Sequence, residues 1–454
     1  MGIAQLIVMI VVIVAVIGGV HAYLWWRLVA SPFRSRRVRW IGVGVFVVIV
    51  AVAMFGLRGA PETLPGPLAT VVSWGGPLWI AVMFYLLLIL LVLEPVRLIG
   101  RVLLSRRERA RPLEAEPPTA PAGHPAAPSD AAITAATAPS AVATATTTGG
   151  GSSDGGAADS GAAADTGAAA DGGESWGHDR RVFLARALAV TAGVGALGTV
   201  GYGVTEARHV RVKRAAITLP RLDPALNGFK IALLTDIHIS ATLHRPFVER
   251  VVRTVNALDV GAVAIVGDLV DGTVDELGDD ARALTALNST HGTYFVTGNH
   301  EYYSGAEEWV EYLPTIGVQV LRNRRVEIPG GAGLDLAGVD DVTAADSGVP
   351  GHGANLSAAL EGRDRDRPVV LLAHQPVQWP EAVDRGVDLQ LSGHTHGGQM
   401  WPFTYGVRLQ QPVVAGHATD GASQIYVSRG SGYWGPPVRV GAPPEISLIE
   451  LRSV

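Results

Sequence analysis

KIALLTDIH, residues 230–238, runs from an apolar stretch straight into an aspartate and a histidine one residue apart. The same construction recurs four times downstream. AVAIVG (262–267) leads to Asp268 and Asp271, TYFVTG (293–298) to Asn299, His300 and Glu301, PVVLLA (368–373) to His374, and LQLSG (389–393) to His394 and His396. Short apolar runs of this length read as strands covered on both faces, and helix-like stretches at 245–258, 276–289 and 305–315 separate the first of them. The fold class predicted is therefore α/β, with late short strands at 333–338 and 445–451 supplying a second sheet or an antiparallel edge. In such sheets ligands bind beyond the carboxyl ends of the strands. Five strands here each bring a hard or imidazole donor to that rim.

Spacing adds to this reading. In extended backbone residues i and i+2 point to one side, so Asp236 with His238, and His394 with His396, are each expected to present a pair to one centre. Asn299 and His300, being adjacent, are expected to face apart, one toward a metal and the other toward a substrate. Gly393, Gly397 and Gly398 allow a tight turn where side chains would collide. The chain has no cysteine, so any metal must be held by His, Asp, Glu or Asn.

At these residues the sequence resembles the calcineurin-like metallophosphoesterase family. Asp-x-His, Gly-Asp-x-x-Asp, Gly-Asn-His-Glu, a lone His and Gly-His-x-His occur in order between about Lys230 and Leu451. NHEYYSG, GHTHGGQ and the ending SRGSGYWGPPVR are similar to a membrane-associated branch that includes the UDP-diacylglucosamine pyrophosphatases. The resemblance implies a four-layer α/β/β/α sandwich and two divalent metal ions, for which a sulfur-free donor set permits Mn, Fe or Zn. By that resemblance Asp236, His238, Asp268 and His396 hold one ion. Asp268, Asn299, His374 and His394 hold the other, with Asp268 bridging. His300 would contact or protonate the leaving group, and Asp271 would orient His300.

The first half of the chain is of another kind. Residues 3–26, 40–57 and roughly 72–93 are near-continuous apolar runs, each matching the ~20 residues that cross a bilayer, and Val182 to Val204 forms a fourth run rich in Ala and Gly. The expected organisation is a membrane domain over 1–104 with three transmembrane helices, a disordered linker over 105–179, a fourth span or twin-arginine-like signal anchor over 180–206, and the phosphoesterase domain over 215–454. Residues 112–178 are Ala, Thr, Gly, Ser, Pro and Asp with few large apolar side chains, a composition that does not offset the entropy of ordering. Arginines cluster in the first loop (Arg27, Arg34, Arg36, Arg37, Arg39), after the third run (Arg97, Arg101, Arg106, Arg107, Arg109, Arg111) and at the start of the fourth (Arg180, Arg181, Arg186). The positive-inside rule makes those segments cytoplasmic. A single crossing by the fourth run then places the phosphoesterase domain on the extracytoplasmic side of the cell membrane.

From Ala215 onward the chain carries 17 Lys and Arg against 28 Asp and Glu, a net of −11. An acidic domain without a basic stripe is a poor candidate for general nucleic-acid binding. The expected partners are the lipid bilayer and a phosphoester, either a small molecule or a lipid-linked substrate. Two competing functions are a nucleotide phosphodiesterase and a membrane sensor that binds metal without turnover. Arg429 and Arg439 are candidates either for a second phosphate or for structural ion pairs. Asp340 and Asp341 read as turn residues, and Tyr302, Tyr303, Tyr433 and Trp434 as lining for a substrate mouth or as packing.

Overall fold

The computed structural model describes residues 3–56, 66–109, 172–328 and 333–454. Most of the expected linker lies outside the described residues. Its described ends are helical, because α3 (Gly66–Arg109) runs past residue 104 and α4 (Gly172–Ala207) begins ahead of residue 180, following α1 (Ile3–Trp25) and α2 (Arg36–Gly56). The described chain divides into two units, 1–94 with 185–454, and 95–184.

Among the described residues three helical stretches are long and apolar enough to cross a membrane: Ile7–Ala30, Gly66–Arg106 and Asp179–Ala207. Helix α2 is not among them, since Arg36, Arg37 and Arg39 occupy its first turn. Arg27, expected in a loop, instead lies in a π-helical extension of α1, Trp26–Ala30. It is 2% exposed and forms an ion pair with Glu94 of α3 at 2.8 Å. A charge carried into an apolar bundle requires such a counter-ion. His21 is packed between helices, accepting a hydrogen bond from Trp79 Nε1 at 3.1 Å.

The remainder builds two six-stranded sheets. The strands in chain order are β1 (Arg211–Thr218), β2 (Phe229–Leu234), β3 (Ala262–Val266), β4 (Thr293–Val296), β5 (Val318–Val320), β6 (Arg324–Ile328), β7 (Leu334–Gly338), β8 (Val369–Leu372), β9 (Leu389–Ser392), β10 (Gly416–Asp420), β11 (Ser423–Val427) and β12 (Glu445–Arg452). One sheet has the order β1-β12-β2-β3-β4-β5 and the other β10-β11-β9-β8-β7-β6. Strands β2 to β5 are parallel, with β12 inserted antiparallel to β2. In the second sheet β7, β8, β9 and β11 are parallel.

Period-two alternation assigns each apolar side chain to a layer. Ile231, Leu233, Ala264 and Val266 face the other sheet and meet Leu334, Leu336, Val370, Leu372, Leu389 and Leu391. Ala232, Leu234, Val263 and Ile265 face outward against α5 (Arg245–Asn256), whose buried stripe is Phe247, Val248, Val251, Val252 and Val255. They also meet Trp309 and Leu313, on the last of three further helices, α6 (Val274–Ala281), α7 (Asn299–Tyr303) and α8 (Ala306–Thr315). On the far side, Ala337, Val369, Leu371, Ile425 and Val427 pack under Leu356, Trp379 and Ala382. The result is helix, sheet, sheet, helix, the expected four-layer α/β arrangement. Helix α6 starts with a capping box, Thr273 with Glu276, which satisfies two otherwise orphaned donors.

Leu233 is fully buried between the sheets. Leu233→Ala should destabilise the fold by about 3 kcal/mol. In thermal denaturation of the detergent-solubilised chain the midpoint should fall by roughly 5–10 °C. An unchanged midpoint would show that the two sheets do not share one core.

Candidate metal centre

Every expected donor lies just past the carboxyl end of its strand, and none lies in regular strand geometry. Asp236, His238, Asp268, His394 and His396 have φ of 50, 49, 51, 68 and 50°, five of the eight described non-glycine residues with positive φ. Left-handed backbone costs a non-glycine residue on the order of 1–3 kcal/mol. The turns are held against it by inter-loop hydrogen bonds: Asp236 N to Gly267 O and His238 N to Asp268 O, each 3.1 Å, and Gly432 N to Asp236 O, 2.9 Å. The His394 amide also donates to the Asp236 carboxylate at 2.9 Å. A Cβ on Gly393 would overlap that carboxylate and Thr235, so only glycine lets the two loops approach. Gly398, with φ of 85°, sits as tightly against Thr404.

This backbone alters one expectation. The spacing argument fails for His394 and His396, which lie in left-handed turns and face different groups, as the family resemblance implied. His396 joins Asp236 and His238, whereas His394 joins Asp268 and His374. The His238 and His396 Nε2 atoms are 3.0 Å apart, and His396 Nε2 is 3.4 Å from Asp236 Oδ1. In the second group His394 Nδ1 lies 2.9 Å from Asn299 Oδ1, and His374 Nε2 lies 3.0 Å from Asp268 Oδ2. That same oxygen is 3.9 Å from His238 Nε2, so Asp268 faces both groups.

The outer edges of the rings determine which nitrogens point inward. His374 Nδ1 donates to Val266 O at 2.9 Å, leaving Nε2 to face Asp268. That Nε2 is buried and off the hydrogen-bond direction despite its short distance. Asp271 Oδ1 accepts from His238 Nδ1 and from His300 Nδ1, each at 2.8 Å. One carboxylate oxygen thus orients two imidazoles, where the sequence suggested one. Arg439 Nη2 approaches His396 Nδ1 at 2.9 Å and can only donate. His396 Nδ1 therefore accepts, and Nε2 is the nitrogen that His396 turns toward His238 and Asp236.

The donor set fits divalent cations. Asp236, His238 and His374 are fully buried, and their charges are set by one another. Burial lowers the His238 pKa, but Asp271, Asp268 and Asp236 outweigh it and raise the ring to about 9. His374 is likewise raised well above its ordinary value, burial being outweighed by Asp268 and Asp236. Burial, joined by His374, lowers His394 to about 3. Burial would raise Asp271, yet His238 and His300 hold it at about 2. Without metal, protons on His238 and His374 supply the positive charge that the carboxylates demand.

One supporting residue, Glu301, had no role in the sequence, and a second, Arg439, has one that the sequence left open. Glu301, 1% exposed, accepts from the amides of Asp268 (3.0 Å) and Leu269 (2.7 Å) and from Gly298. It clamps the turn that carries Asp268. Burial, then Asp268, raises its pKa to about 7. Its presence in the Asn-His-Glu string was the available signal. Arg439 is fully buried and donates to the carbonyls of His396, Arg429 and Gly432, so it is a strut and not a phosphate ligand. Arg429 is paired with Glu445 at 2.8 Å. Asp340 binds Arg322 through two oxygens at 3.0 Å, and Asp341 caps Thr343 and accepts from Gln375. Tyr302 and Tyr433 are inward-facing, Tyr302 hydrogen-bonding Thr297 and His352. Tyr303 and Trp434 are exposed and flank His300, each ring 5.5 Å from the imidazole.

Residues 229–398 match the model of the calcineurin-like phosphoesterases. An uncharacterized metallophosphoesterase of Helicobacter pylori is 39% identical over 277 residues, 60% of this chain and 73% of that protein. The chain belongs to the calcineurin-like metallophosphoesterase family. A transmembrane protein with metallophosphoesterase domain from Bos taurus is 39% identical over 285 residues, 60% of this chain and 64% of that protein. An Aquifex aeolicus metallophosphoesterase is 34% identical over 254 residues, 56% of this chain and 95% of that protein. With its membrane-capable helices, the chain is a membrane-associated, metal-dependent phosphoesterase.

Metal loading of this phosphoesterase must displace the protons on His238, raised to about 9, and on His374, raised well above its ordinary value, so affinity should rise with pH through neutrality. Calorimetric titration of Mn2+ in two buffers of different ionisation enthalpy should detect proton release at pH 7. Affinity unchanged between pH 6.5 and 8.5 would contradict the assignment of these rings.

Proposed function

We propose that this protein is a membrane-anchored hydrolase with two divalent cations, cleaving a phosphodiester or pyrophosphate bond in a lipid-linked substrate. The observation that carries this reading is Asp268, one carboxylate facing two separate groups of buried donors. In this reading Asp236, His238, Asp268 and His396 hold one cation, and Asp268, Asn299, His374 and His394 the other. Mn, Fe and Zn all suit the set. Bound cations of this kind lower the pKa of water toward neutrality and offset charge on the phosphoryl oxygens.

The protein's own groups do the rest. His300, with Nδ1 tied to Asp271, turns Nε2 toward the mouth and protonates the leaving oxygen. Asp271 keeps that ring in one tautomer. Tyr303 and Trp434 pack edge-on against that ring and limit its access to water. The domain organisation proposed is a membrane region over 1–104, a tether over 105–179, a further span over 180–206 and the hydrolase over 215–454, on the extracytoplasmic side. A reporter fused after Val454 tests that side.

The full chain in detergent should bind close to two Mn2+ and hydrolyse an aryl phosphodiester. His394→Ala should lose metal and nearly all turnover. His300→Asn should keep its metal and lose on the order of 10²–10⁴-fold in kcat. Full metal content with no turnover on aryl esters, nucleotides or lipid pyrophosphates would favour a sensor and refute the hydrolase.

A further inference from the structure

The turn that carries His394 and His396 continues directly into a segment of another character. Trp401, Phe403, Tyr405 and Leu409 all project outward, Trp401 at 52% and Leu409 at 88% exposure. No acidic residue occurs between Asp388 and Asp420, in a domain whose net charge is −11. Trp, Phe, Tyr and Leu accompanied by one arginine, here Arg408, is the composition of protein surface at a membrane interface.

Its position agrees. The Trp401 carbonyl accepts from Tyr85 Oη of α3 at 3.0 Å. Tyr85 is nine residues from Glu94, so it lies about 14 Å inside the apolar run. Near the other end of that run, Trp74 of α3 packs under Arg208 at 5.4 Å. On the α4 side, Gly203 O accepts from Arg439 N at 2.9 Å, and Val438 joins Tyr85, Leu86, Leu90, Ala196 and Val200 in one apolar cluster. Met400 and Trp401 therefore lie beside the spans, at a level of α3 between Trp74 and Glu94.

The backbone of this segment is suited to a nonaqueous setting. The amides of Tyr405, Gly406, Val407, Arg408 and Leu409 donate to carbonyls of residues 402–406 within the same loop. Lipid requires such internal pairing. Thr404 Oγ1 binds Gly397 O at 3.0 Å, next to the ligand His396. Gln399 clasps Trp434 by side-chain bonds to its carbonyl and amide, and Trp434 touches His300. Hydrogen bonds thus tie the loop to the reaction site.

We propose that residues 400–409 insert into the lipid leaflet beside the spans and hold the mouth of the metal centre at headgroup level, so that substrate enters from the bilayer. The substrate clause rests on the phosphoesterase reading, whereas the insertion does not.

The natural chain has no cysteine, so Leu409→Cys gives a single site for an environment-sensitive fluorophore. Glu361→Cys, on an exposed turn of the domain, serves as the control. In vesicles of phosphatidylcholine and phosphatidylglycerol, the label at 409 should emit to the blue, be quenched by nitroxide lipids and resist iodide. The label at 361 should do the reverse. Water-like behaviour at both positions overturns the insertion. The variant Trp401→Ser, Phe403→Ser, Leu409→Ser should retain aryl phosphodiester turnover and lose about tenfold on diacylglycerol pyrophosphate presented in those vesicles. Equal turnover on both probes, or an untouched lipid probe in the wild type, overturns lipid entry. A metal-loaded wild type inactive on aryl esters, nucleotides and the lipid probe, with the 409 label immersed, refutes the hydrolase and leaves the insertion standing.

Discussion

Two carboxylates, one amide and four imidazoles converge in a space that is almost closed to water, with several of their lone-pair atoms about 3 Å apart. Such a set is stable only with positive charge among it, whether protons or metal ions. The raised pKa of His238 and His374 and the lowered pKa of Asp268 express that demand. The rest of the domain is arranged to keep these atoms close despite their repulsion.

Regular strands cannot deliver that convergence. Five of the donors sit in left-handed turns, which persist because neighbouring loops over-determine them. Two sheets with continuous apolar strands supply the rigid base, and the loops cross-brace at its carboxyl rim. Buried polar groups complete the bracing: Glu301 on the Asp268 turn, Asp271 between two rings, Val266 O behind His374, and Arg439 behind His396. Outer partners of this sort fix the tautomer and direction of a ligand.

The bracing also explains the division of labour among similar residues. Arg439 and Arg429 stand in one glycine-rich tail, yet every described contact of Arg439 is to the protein interior, and Arg429 is committed to Glu445. His300 differs from the ligand rings because two exposed aromatic side chains, Tyr303 and Trp434, pack edge-on against it. Two separate segments reach the apolar helices, the one after the last ligand through Trp401 and the glycine-rich tail through Val438.

Much was legible in the chain itself. Burial on both faces demands unbroken apolar strands, which made the α/β sheets visible, and donor identity is chemical, so the residues at the strand ends could be named before any fold was known. The apolar spans were readable for the same reason of solvent. Only the tertiary structure decided that Asp271 serves two rings, that Glu301 clamps a turn, that Arg439 is buried and that Arg27 pairs with Glu94. These outcomes depend on contacts between segments far apart in sequence, 158 residues in the case of His238 and His396, and on positive-φ turns imposed by those contacts. Periodicity records how a segment meets solvent and core; it carries no information about which distant atom a side chain will finally face.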